Sequence, residues 1–252
     1  MDNRPIGMFD SGCGGLNVLK EYIKKLPNED FIYYGDTAHL PYGDKSPSTI
    51  LKYSEEIVEF LIDKNVKMIV IACGTASAIS YKFLKNKYSI EIKNIIEPAV
   101  KSLKDTNIGV IATKATINSN AWENTILKVH PYAKVTSVAC PLFVPLIEEG
   151  FIENPATDFI VREYLKKFDD KKISSLILGC THYPLLKEKI KNNFSYDINL
   201  IDVGEASALD TKIYLSENNL NNDKTHIGTC SFFSSDDFDD FIQKAHNIGI
   251  SI

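Results

Sequence analysis

The chain has 252 residues, 44% hydrophobic and 24% charged, which suits one large or two small globular domains that need no disulfide or metal staple. Its formal net charge of −5 argues against a general nucleic-acid binder, whose surface is usually basic. No apolar run approaches the roughly 20 residues of a membrane span, and MDNRPIGMFD lacks the apolar stretch of a secretory signal, so a cytoplasmic location is expected.

Short β-branched runs alternate with amphipathic segments, the pattern of an α/β fold with mostly parallel sheets. PIGMF (5–9) reads as the first strand, followed by the loop DSGCGG. Leu16, Leu19, Tyr22, Ile23 and Leu26 recur at helical spacing and predict a helix over about 15–25. DFIYY (30–34) is a second strand, and GDTAHLPYGDKS (35–46) a polar loop. Ser46 before Pro47 marks a helix start, with Ile50, Tyr53, Ile57 and Leu61 on the apolar face. KMIVIA (67–72), NIGVIAT (107–113), SLILG (175–179) and INLID (198–202) are further strands. The C-terminus reads as the strand HIGTCSF and then a helix, capped by Ser234 or Ser235, with Asp236 and Asp237 in its first turn and Gly249 at its end.

Two segments occur twice. IGMFDSG (6–12) resembles IGVIATK (108–114), and MIVIACGT (68–75) resembles SLILGCTH (175–182), at offsets of 102 and 107 residues. Two matches at nearly one offset predict two pseudo-symmetric domains.

The five cysteines are odd in number, widely spaced and free of any CxxC, which opposes a disulfide framework or a structural zinc site. Cys73 and Cys180 each end a buried strand, where ligands gather in open parallel sheets. Each could be a packed thiol. If the halves face each other, both thiols enter one interdomain cleft, and one as thiolate with the other as thiol could remove a proton from one face of a carbon and return one to the other. Dithiol exchange would usually show CxxC, and a metal held by Cys180 and His182 fits no common zinc spacing. His182 could instead be a core or capping histidine. Arginine is confined to Arg4 and Arg162. A substrate carboxylate would therefore be held by hydroxyls such as Ser11, Thr75 and Thr181 and by backbone N–H groups. The glycines of DSGCGG let backbone approach a ligand closely.

FDSGCGGL (9–16), YYGDTAHLPYG (33–43), ACGTASA (72–78), IEPA (96–99), CPLFVPLIEEG (140–150) and GCTHYPLL (179–186) together resemble bacterial glutamate racemase, over most of the chain and in the right order. The resemblance implies a racemase with no pyridoxal or metal cofactor, making D-glutamate for peptidoglycan from two α/β domains, usually as a homodimer. The expected division is 1–97 plus 208–252 and 98–207. By the same resemblance, Cys73 and Cys180 are the catalytic thiols, Cys73 acting on D-glutamate and Cys180 on L-glutamate. Asp10, Asp36, Glu148 and His182 assist them. Asp10, Ser11, Tyr42, Gly43, Gly74, Thr75, Thr181 and His182 match substrate-contacting positions. Cys13 stands where the family often has an aliphatic residue and reads as packing.

One position departs from the family pattern. The usual Cys-Asn-Thr is here Cys73-Gly74-Thr75, so the amide that normally meets the substrate is missing. On sequence grounds Gly74→Asn is expected to raise kcat/KM if the loop accepts a side chain. Two rivals remain: a related racemase acting on aspartate or another small amino acid, and a binding protein on the same fold.

Overall fold

The computed structural model of the chain describes residues 1–223, 227–247 and 250. Its strands are β1 (Ile6–Asp10), β2 (Phe31–Gly35), β3 (Met68–Ile71), β4 (Glu91–Asn94), β5 (Asn107–Ala112), β6 (Lys134–Ala139), β7 (Ser175–Leu178), β8 (Asn199–Ile201) and β9 (Cys230–Ser234). They form two sheets, ordered β4-β3-β1-β2-β9 and β6-β5-β7-β8, and every neighbouring pair is parallel. Read from the other edge, the second sheet runs β8-β7-β5-β6, the same winding as β4-β3-β1-β2. The sequence repeat is therefore a structural one: β1 corresponds to β5 and β3 to β7. The central strands β1, β3 and β7 are buried along their whole length because helices cover both sheet faces, which is why they read as unbroken apolar runs.

The predicted helix after the first loop forms over Leu16–Lys25, and Ser46 caps Pro47–Asp63 by accepting the Thr49 N–H at 3.2 Å. The loop at 35–46 contains two short 3₁₀ turns, Thr37–His39 and Tyr42–Asp44. Two strands went unread in the sequence, and two expectations need correction. Strands β4 and β6 carry no long apolar run; both are edge strands with one face only partly covered. The C-terminal strand lies over 230–234, later than HIGTCSF suggests; His226 falls outside the described residues, as does Gly249. The last helix, Phe238–Asn247, is not capped by Ser234 or Ser235. Asp237 Oδ1 accepts the Asp240 N–H at 3.2 Å, while Ser235 Oγ accepts the Ala38 N–H at 2.9 Å.

The end of the first sheet away from the strand carboxyl ends is pinned by a buried ion pair. Lys67, just before β3, meets Glu29, just before β2, and also donates to the carbonyls of Asp2 and Leu220 at 2.9 Å. Glu29 in turn accepts the Asn222 N–H at 2.8 Å. Among the described residues no helix is long and apolar enough to cross a membrane.

Removing one partner of a buried pair leaves an uncompensated charge, at a cost of about 3–5 kcal/mol. Lys67→Met is expected to lower unfolding free energy by that amount in urea titrations while leaving the distant cleft intact.

Candidate active site

Parallel strands deliver their carboxyl ends to one side, and the two sheets present those ends to each other. Asp10 closes β1, and Asp36 follows β2. Cys73 follows β3 and caps the short helix Gly74–Ile79, its Sγ accepting the Ala76 N–H at 3.4 Å. In the second half, Cys180 follows β7 with one residue, Gly179, between them. Cys73 and Cys180 line one narrow pocket, with Ser11, Tyr42, Gly43, Gly74, Thr75, Thr181 and His182 around them. Its free volume is about 10 Å³, room for about one water molecule.

Three predicted residues stand one layer behind. Asp10 is fully buried; its Oδ2 accepts the Gly12 and Gly15 N–H groups at 3.0 Å, and Thr181 donates to Oδ1 at 3.4 Å. Asp36 accepts from Tyr42 Oη at 2.5 Å and meets His39 Nδ1 at 2.8 Å, so it fixes the tyrosine that lines the pocket. Glu148 Oε1 meets His182 Nε2 at 2.6 Å. The other ring nitrogen, Nδ1, lies 3.9 Å from Cys180 Sγ. Cys73 Sγ faces Ser11 Oγ at 3.7 Å. The glycines of DSGCGG do not all serve a ligand: a Cβ on Gly14 would lie 2.4 Å from the His182 ring, so glycine here admits the histidine.

Sequence reasoning missed two participants. Thr113 lines the pocket and shares a hydrogen bond with Thr75 Oγ1 at 3.0 Å. The repeat could have found it, since the offset of 102 residues carries Ser11 onto Thr113. Lys244, on the C-terminal helix, binds Glu148 Oε2 at 3.0 Å. No local motif announces a contact across 96 residues.

The Asp/Glu/hydantoin racemase family profile matches residues 12–210. The chain belongs to this racemase family. It is 42% identical to the glutamate racemase of Geobacter metallireducens over 92% of this chain and 88% of that protein. It is 47% identical to the glutamate racemase of Aquifex aeolicus over 83% of each. The crystal structure of glutamate racemase from Francisella tularensis in complex with D-glutamate is similar at 43% identity and a TM-score of 0.92, covering 98% of this chain and 94% of that one.

The two thiols of this racemase-family chain sit in opposite electrostatic surroundings. Burial and the neighbouring Asp10 carboxylate push the Cys73 thiol up to about 12, against weaker help from the Ala76 N–H and Ser11. Cys180 instead faces His182. Burial alone would favour the neutral ring, but Cys180 and Glu148 outweigh it and raise the imidazolium pKa to about 10. Glu148 is held at about 2: burial would raise it, and the bonds to His182 and Lys244 win. Asp10 is raised, because burial exceeds the pull of His182 and the Gly15 and Gly12 N–H groups. Burial also pushes Cys13 up to about 12; it lines a separate cavity of about 280 Å³ on the far side of His182.

A histidine whose pKa is raised on folding stabilises the native state fully below its ordinary value of 6.5, and that contribution fades as pH climbs to about 10. The stability difference between wild type and His182→Gln is therefore expected to be largest below pH 6.5 and to shrink steadily toward pH 10, measured by urea unfolding across that range.

Proposed function

We propose that this chain interconverts L- and D-glutamate, with the Cys73 and Cys180 thiols as the acid–base pair and no pyridoxal or metal cofactor. The observation that carries the reading is that strands β3 and β7, one from each half, bring both sulfurs to one pocket. An α-carbon held between the two sulfurs can lose its proton to one as thiolate, and the planar carbanion so formed can take a proton from the other, as thiol, on the opposite face.

Burial and Asp10 keep the proton on Cys73, and the imidazolium of His182 lies 3.9 Å from the Cys180 sulfur. In the direction from L-glutamate, Cys180 as thiolate takes the α-proton and Cys73 delivers one to the other face. The protein is left with a thiol at 180 and a thiolate at 73, set for D-glutamate. Proton exchange with solvent resets it.

The remaining residues divide into contacts and supports. Ser11, Tyr42, Gly43, Gly74, Thr75, Thr181 and His182 surround the substrate, with Asp10 beneath Thr181. Asp36 acts through Tyr42, and Glu148 through His182. The residues lining the pocket include no lysine or arginine, so hydroxyls, backbone N–H groups and His182 bind the two carboxylates. A pocket of about 10 Å³ cannot admit glutamate, so the halves must part for entry and close for chemistry. The resemblance further implies a homodimer that supplies D-glutamate for peptidoglycan.

Incubation with L-glutamate in D₂O, followed by NMR for the α-proton and by circular dichroism for optical activity, should show both signals decay. Persistence of both with glutamate, alongside decay with aspartate, would shift the substrate; persistence with every amino acid would leave a binding protein. Activity that needs added pyridoxal phosphate, or that chelation abolishes, would overturn the cofactor-free mechanism. Cys73→Ala and Cys180→Ala should each lose at least ~10³-fold in kcat, the scale of a lost acid–base group and its coupling to its partner. Cys13→Ala should lose little.

A further inference from the structure

Gly74 is a glycine for want of space, not of backbone freedom. It opens the helix Gly74–Ile79 and does not adopt a positive φ; among the described glycines that belongs to Gly150. A Cβ at position 74 would lie 2.3 Å from the Gly179 carbonyl oxygen, 3.3 Å from its carbon and 3.6 Å from the Cys180 Cα. All three are backbone atoms of the opposite half, at the end of β7.

Neither side can give way locally. The Gly179 N–H is bonded to the Ile111 carbonyl at 2.8 Å, and Trp122 Nε1 would stand 2.9 Å from a Cβ at 179, so no room lies behind it. On the other side, the Ala72 N–H is bonded to the Phe9 carbonyl at 2.8 Å, and the Cys73 carbonyl accepts the Ser77 N–H at 2.8 Å. Relief of the overlap, from 2.3 Å to the 3.4 Å where ordinary contact begins, has to come from the two halves moving apart by about 1 Å.

We propose that Gly74 sets how closely the two thiol loops approach, and that any side chain at 74 holds the cleft ajar at the reacting centre. The proposal rests on the reading that Cys73 and Cys180 share one substrate carbon. In the family pattern an asparagine at this position reaches the substrate. Here the second half moves into the space an amide would take, and a tighter closure stands in for the lost contact. Gly74→Asn, which looks like a repair in the sequence, is then a wedge.

The test compares wild type with Gly74→Ala and Gly74→Asn. Racemisation kcat should fall by about 10²-fold in Gly74→Ala, the scale of a 1 Å misplacement in a positioned reaction, with a smaller change in KM because closure follows binding. In the substrate-free protein, iodoacetamide alkylation of Cys73 and Cys180, followed peptide by peptide by mass spectrometry, should accelerate, while the buried Cys140 stays as slow as in wild type. Thermal stability should hold, because the added methyl meets a cleft that opens in every turnover. Unchanged alkylation with kcat equal to or above wild type would overturn the proposal. So would a Gly74→Ala protein that unfolds and exposes Cys140. Should Cys73→Ala or Cys180→Ala stay active, the two-thiol reading fails, yet the alkylation rates still report the closure.

Discussion

Parallel strands all end on the same side, and in this protein two sheets of one winding turn those ends toward each other. The rest of the site depends on that constraint. A single open sheet could place one strand-end thiol against a ligand, but a thiol on the opposite face of the same carbon needs a second sheet. Repetition of β4-β3-β1-β2 as β8-β7-β5-β6 provides it. Asp10 and Thr113's neighbour Ala112 end corresponding strands, as do Ile71 before Cys73 and Leu178 before Cys180. The cleft is thus the product of one strand-and-loop plan used twice.

The duplication is not symmetric in charge. The offset that carries Cys73 onto Cys180 carries Thr75 onto His182. One thiol therefore has a hydroxyl two residues on, and the other an imidazole tied to Glu148 and, through it, to Lys244. A buried carboxylate lies near Cys73 and a charged ring beside Cys180. The repeated plan thus sets its two sulfurs in unequal fields, and the charged ring beside Cys180 is tied through Glu148 to Lys244 on the helix Phe238–Asn247.

Much of this was legible in the sequence, and the failures have physical causes. Central strands announce themselves because both faces are covered, and the thiol loops sit at their ends. Edge strands β4 and β6, half covered, look like loops. Ser235 resembles a helix cap, but a tertiary bond to the Ala38 N–H claims its hydroxyl and Asp237 takes over. Lys244 belongs to the site only because the C-terminal helix packs its Phe241 against Tyr33, with ring centroids 5.8 Å apart. Gly74 could be seen as a departure but not understood as one. Its meaning lies in a backbone oxygen 105 positions away that no local pattern reveals.

The hydroxyls of the cleft also join its two sides. Buried polar groups need partners, and Thr75 finds them across the cleft, in Thr113 at 3.0 Å and Thr116 at 3.2 Å. Thr113 and Thr116 also bond to each other at 2.8 Å. These neutral bonds join the half that carries Cys73 to the half that carries Cys180. Under the proposed reaction these are the bonds that a substrate carboxylate would replace, exchanging neutral hydrogen bonds for charge-assisted ones roughly twice as strong.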